Sequence, residues 1–169
     1  AEHLIPAGMS ADYKGGRIER VDLQTGKVQV LYAEIDGRRL SRPNDIVFDA
    51  HGGFYFTAIG ERRDRDRDQL VILYALADGS RIEEVAHPLM TPNGVGLSPD
   101  QNMRSYAESE GARIWGFDGA APGKLKKVPE ARGNGAHFID NVLGLHRFDS
   151  LAVDSEGSIC VGTLLSGSV

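Results

Sequence analysis

Three stretches of this chain repeat one pattern, and that repetition limits the fold more than any other feature. Asn44–Thr57, Asn93–Tyr106 and Asp149–Gly162 each run from a polar starter through a short apolar strand and an Asp-containing turn into a second strand. The starters lie 49 and 56 residues apart. Arg17–Asp22, Val71–Leu76 and Arg113–Asp118 supply a third strand, and Val28–Tyr32 and Arg81–Val85 a fourth. The apolar runs are short, and Gly, Asp, Ser and Pro separate them. No stretch holds a 3.6-residue period over three turns. The chain is therefore read as all-β with almost no helix.

Four strands in roughly 50 residues is the signature of a propeller blade. A blade buries both faces against its neighbours, so it is stable only within a ring, typically of four to eight blades. The 169 residues supply between three and four. The expectation is a single propeller domain over residues 1–169, a fragment lacking the first and last blades. Ser10–Ile18 begins partway into a blade, and Gly162–Val169 stops just after a second strand.

Composition narrows the class. Apolar content of 41% and a net charge of -5, from 19 basic and 24 acidic residues, argue against disorder. One cysteine, Cys160, rules out an internal disulfide scaffold. No apolar run approaches the ~20 residues of a membrane helix, and no signal peptide is visible. The mild acidity speaks against a nucleic-acid partner. A lone cysteine fits the cytoplasm, although a processed secreted or periplasmic chain would look the same.

The starters are the positions that point to chemistry. In a propeller, the first residues of the innermost strands converge on one mouth of the central channel. Asn44, Asn93 and Asp149 would there form an oxygen-rich site suited to a hard divalent cation. Pro43 and Pro92 stiffen the approach to the two asparagines. The competing reading is an Asx turn at each starter. Asp149 is the candidate catalytic base, because a carboxylate beside a metal can take a proton from water. Asp49, Asp100 and Asp154 read as turn residues, as does Ser98, and Gly52-Gly53 as a hairpin turn. The five histidines show no zinc spacing, and His146 is a candidate to line the mouth. Cys160 reads as a buried small hydrophobe, and Tyr106 and Trp115 as blade packing. Glu61–Asp68 alternates charge and reads as a solvated surface loop, with a lid or docking role as the alternative.

These motifs resemble those of the gluconolactonase family, which includes senescence marker protein and luciferin-regenerating enzyme. Arg42–Thr57 resembles the family signature, Thr91–Asp100 its next motif and Phe148–Gly157 the one after, in the family's order. The resemblance implies a six-bladed β-propeller with one divalent metal in its channel, calcium first, with magnesium, zinc or manganese as alternatives. It implies Asn93 and Asp149 as metal ligands, with Asp149 also the general base. It further places Asn44 on the substrate or metal, Arg42 on the substrate and Ser150 beside the metal. The sequence departs from the family pattern in three places. No Glu-Gly-Pro or Glu-Ser-Pro supplies the first-blade metal ligand, Ala58 stands where many relatives carry Asp, and Met103-Arg104-Ser105 is unusually polar.

The expected function is a metal-dependent hydrolase that opens a sugar lactone or related cyclic ester, with a small-molecule lactone as its partner. Two alternatives stay open. One is a non-catalytic propeller that binds a ligand or protein. The other is an aryl-esterase or phosphotriesterase on the same fold.

Overall fold

The computed structural model describes residues 13–129 and 135–169. Every regular element among them is a β-strand, as the short, turn-bounded apolar runs predict. No helix among the described residues is long and apolar enough to cross a membrane.

Strands β1 (Ile18–Val21) and β2 (Val28–Tyr32) form an antiparallel pair, as do the short β3 (Glu34–Ile35) and β4 (Arg38–Arg39). Next comes a four-stranded antiparallel meander of β5 (Pro43–Phe48), β6 (Gly53–Ala58), β7 (Val71–Leu76) and β8 (Ile82–Ala86). A second sheet contains β9 (Pro92–Leu97), β10 (Met103–Glu108), β11 (Arg113–Ala121) and β12 (Lys124–Lys126), with β13 (His137–Asn141) also paired to β11. Finally, β14 (Phe148–Val153) pairs with β15 (Ile159–Thr163). Both larger sheets have the up-and-down order of a blade.

Period-2 alternation explains how the sheets stack. From β6, Phe54 and Phe56 enter one apolar cluster with Val71, Leu73 and Ala75 of β7. The intervening Tyr55, with Ile72 and Tyr74, enters a second cluster on the opposite face, against Val95, Tyr106 and Phe117. Ala107, one residue beyond Tyr106, belongs to a third cluster with Ile114, Phe148 and Leu151. The sheet β5–β8 is thus covered on both faces, which accounts for its near-continuous apolar runs. Exposure rises at β1–β2 and β14–β15, and along β5, where Ile46 and Phe48 are 42% and 61% exposed. Cys160, expected to be buried, is exposed, because β15 is an edge strand of a two-stranded sheet.

The three repeats match in their hydrogen bonds as well as in sequence. The first hairpin turns close alike: Asp49 N–H donates to Gly53 O (2.9 Å), Ser98 N–H to Met103 O (3.0 Å) and Asp154 N–H to Ser158 O (3.0 Å). Asp49 and Asp154 accept bonds from backbone amides within these turns, which is the role expected of them. Asp100 caps Asn102 instead, and Ser98 takes the equivalent place.

Burial works to raise the Asp49 carboxyl, but bonds from Gly53 N–H, His51 N–H and the Tyr74 hydroxyl outweigh it and hold it below the usual carboxylate range. A carboxyl depressed in the folded state stabilises above its unfolded pKa, ~3.9, and that stability is lost as pH falls through the folded value. Tyr74→Phe is expected to lower stability by about 1 kcal/mol at pH 7. The difference from wild type should shrink in acid, as pH falls through the lowered folded-state value of Asp49. Urea unfolding in neutral and in acidic buffer checks this, and a pH-independent gap would exclude Asp49 as the cause.

Candidate active site

The strands that carry the starters, β5, β9 and β14, lie side by side, with β9 in the middle. Close backbone contact and polar side chains hold this arrangement together. The Asp45 carboxylate accepts from Val95 N–H (3.1 Å), joining β5 to β9. The buried Thr57 hydroxyl donates to Asn93 O (2.6 Å) and accepts from Asp45 N–H (3.2 Å). On the other side Gly94 meets the β14 backbone: a Cβ added there would lie 2.4 Å from Leu151 N and 2.8 Å from Asp149 O. Only glycine allows Asn93 and Asp149 to come this close.

Each repeat also closes at its opposite end, with a second matching set of bonds. Ile59 N–H donates to Arg42 O (3.1 Å), Ser109 N–H to Thr91 O (3.0 Å) and Leu164 N–H to Arg147 O (2.8 Å). All six residues line one cleft of about 270 Å³. Arg42, Thr91 and Arg147 are therefore equivalent positions, each two residues ahead of a starter. Arg42 and Thr91 hold left-handed backbone at φ 53 and 42, a conformation that is strained in non-glycine residues and concentrates at functional sites.

Asn93 lies on this cleft and is 7% exposed. Its amide nitrogen donates to the Ser109 hydroxyl (3.1 Å), and that hydroxyl donates to Phe148 O (2.5 Å). The relay fixes the amide and leaves Asn93 Oδ1 buried without a hydrogen-bond partner. An orphaned buried carbonyl oxygen is costly unless something satisfies it. A hard cation fits this donor, so Asn93 offers the kind of oxygen ligand that the starters imply.

The other candidates are placed less uniformly. Arg42 lines the cleft; Asn44, Asp149 and Ser150 do not. Asn44 and Ser150 are exposed, and Asp149 is half-buried, its Cβ 3.9 Å from where a Gly162 Cβ would stand. The starters are thus neighbours through their strands, while the cleft itself collects only Asn93 of the three. His146 is half-buried and its Nδ1 has no partner, but it does not line the cleft. Among the described residues no group of three His, Cys, Asp or Glu could hold a metal, so amide oxygens would have to contribute.

The charged loop is exposed over residues 62–67, as a solvated loop should be, and its charges are paired in a fixed pattern. A bridge between Arg62 and Arg67 folds it back on itself. Arg63 pairs with Asp66 and with Asp68 (2.8 Å). Arg62 and Arg67 instead face the cleft, 3.7 and 3.5 Å from Glu110. Arg147, Ser109 and Glu110 were not singled out by sequence. The signal for Arg147 was its offset from Asp149, the same as that of Arg42 from Asn44.

Stacked antiparallel sheets, with a polar cleft at the matching ends of three repeats, define a β-protein built of blade-like sheets. Residues 9–169 match the family described as the SMP-30/gluconolactonase/LRE-like region, and the chain belongs to that family. It is 25% identical over 161 residues to diisopropyl-fluorophosphatase of Loligo vulgaris, covering 80% of this chain and 51% of that one. It is 26% identical over 158 residues to gluconolactonase of Zymomonas mobilis, covering 88% and 44%. A gluconolactonase structure from Xanthomonas campestris superimposes with a TM-score of 0.69 at 23% identity, over 86% of this chain and 48% of that one. The chain thus spans about half the length of the relatives it matches.

Proposed function

We propose that this chain carries the reacting side chains of a metal-assisted lactone hydrolase, within a six-bladed propeller of which its sheets form three to four blades. Membership of the gluconolactonase family and two relatives named as hydrolases support the reaction class. Apolar side chains left exposed at β1–β2 and on β5 support further blades beside them. The observation that carries the reading is the orphaned Oδ1 of Asn93.

Asn93 and Asp149 would hold the divalent cation, with Asn44 and Ser150 beside them. All four offer oxygen, which favours calcium. When bound, the cation supplies Lewis-acid polarisation of the ester carbonyl. Arg42 holds the substrate's oxygens, and the Asn44 amide donates to it. Asp149 accepts a proton from water as the water oxygen bonds to the acyl carbon. The ring C–O bond then breaks, the proton passes to the departing oxygen, and a hydroxy acid results.

Calorimetric titration with calcium tests the carrying observation. The full protein is expected to bind one cation, and Asn93→Ala to weaken binding by about tenfold or more. Absence of any divalent-ion binding would defeat this reading in favour of a ligand-binding module. The diisopropyl-fluorophosphatase relative favours one variation, a phosphotriester in place of the lactone. A panel of lactones, aryl esters and phosphotriesters separates the two.

A further inference from the structure

We infer that the cleft selects a lactone bearing an additional negative charge, a carboxylate or a phosphate, away from the ring carbonyl. This rests on the hydrolase reading and names its substrate class.

The chain is acidic overall, at -5, yet its cleft is basic. Arg42, Arg62, Arg67 and Arg147 face a single carboxylate, Glu110. Of the acids on the neighbouring loop, Asp66 and Asp68 sit on Arg63, and Asp64 is balanced by Arg65 in the count of that loop. Glu110 pairs loosely with Arg62 and Arg67, at 3.7 and 3.5 Å, which leaves an excess of guanidinium. A neutral sugar lactone can accept hydrogen bonds here but brings no charge to balance this excess. A carboxylate or phosphate does, because guanidinium groups bind such anions bidentately.

The arginines come from independent parts of the fold. Arg42 and Arg147 occupy equivalent positions in two repeats, each held by its own backbone carbonyl. Arg62 and Arg67 come from the folded loop between β6 and β7. Ile59, Leu70 and Leu164 give the cleft an apolar side for the carbon skeleton. A concave basic site on an acidic protein also focuses the approach of anions.

Three lactones are the probes: neutral glucono-δ-lactone, the carboxylate glucaro-1,4-lactone and the phosphate 6-phosphogluconolactone. Hydrolysis is followed by proton release, with spontaneous opening subtracted. At least one anionic lactone is expected to exceed the neutral one in kcat/KM by about tenfold, and which one identifies the acidic group. That ratio should fall several-fold in Arg147→Gln and in the double variant Arg62→Gln/Arg67→Gln, mainly through KM, and should shrink with added salt. The double variant lies on an exposed loop, so it serves if Arg147→Gln fails to fold. Equal rates on all three lactones, or a ratio unchanged in both variants, would overturn the inference. If no lactone is hydrolysed, calorimetry with glucarate and 6-phosphogluconate decides separately. Binding that the variants weaken keeps the anion site while the hydrolase reading fails; no binding removes both.

Discussion

Asp149→Ala is expected to lower lactone hydrolysis by about 10²–10⁴-fold, the usual contribution of a positioned general base. Cation affinity should fall in the same variant, because Asp149 is placed in both roles. Asp149 is half-buried on β14, and its peptide is clamped against Gly94. A shortened side chain therefore cannot be replaced by a shift of the strand. Asp149→Asn separates the roles, since an amide keeps an oxygen donor but cannot take a proton. It should retain more calcium affinity than Asp149→Ala while staying as inactive. Hydrolysis within threefold of wild type in either variant would remove Asp149 from the chemistry.

The largest structural effect is expected at Gly94. A Cβ there would meet Leu151 N at 2.4 Å and Asp149 O and Ser150 C each at 2.8 Å. All three are backbone atoms, so no side chain can turn aside. Gly94→Ala should cost about 3 kcal/mol or more, a fall in Tm of roughly 10 °C for a domain of this size. Gly26→Ala is the control: its φ is 69 with nothing within 4 Å, and only the backbone cost of about 1 kcal/mol applies. Thermal unfolding of both variants checks the contrast. Equal losses would show that β9 and β14 are less tightly apposed than these distances require. Activity should fall with Gly94→Ala even below its Tm, because parting these strands separates Asn93 from Asp149.

Much of the scaffold was legible because strand, turn and repeat are local signals. Val71–Leu76 is a strand at those same bounds, and the Asp49 and Asp154 turns close as their residue types demand. The Pro-Asn pairs marked β5 and β9 for the same reason. What was not legible depends on register and on neighbouring strands. The alternating charges of residues 61–68 cancel when counted along the chain. The Arg62–Arg67 bridge sorts them, with Arg63 gathering the acids and two arginines left on the cleft. Arg147 lies outside any recognisable motif and is found only by superposing repeats. The Met103–Ser105 run is more polar than the apolar strand usual in the family. Arg104 is in fact buried, 5.1 Å from the Tyr55 ring centre and donating to Gln101 O (2.8 Å). Cation–π attraction and one hydrogen bond make a basic residue tolerable there.

The three closing bonds from Ile59, Ser109 and Leu164 have a consequence for how such a site changes over time. Each is made by main-chain atoms, so the fold specifies where positions 42, 91 and 147 stand without specifying what they carry. Arginine, threonine and arginine already occupy these three places. A duplicated unit can therefore exchange one lining group at a time, while the packing of its sheets stays untouched. Selectivity can drift separately in each repeat, whereas in the proposed reaction Asn93 and Asp149, two residues further on, would serve one shared chemistry and could not change singly.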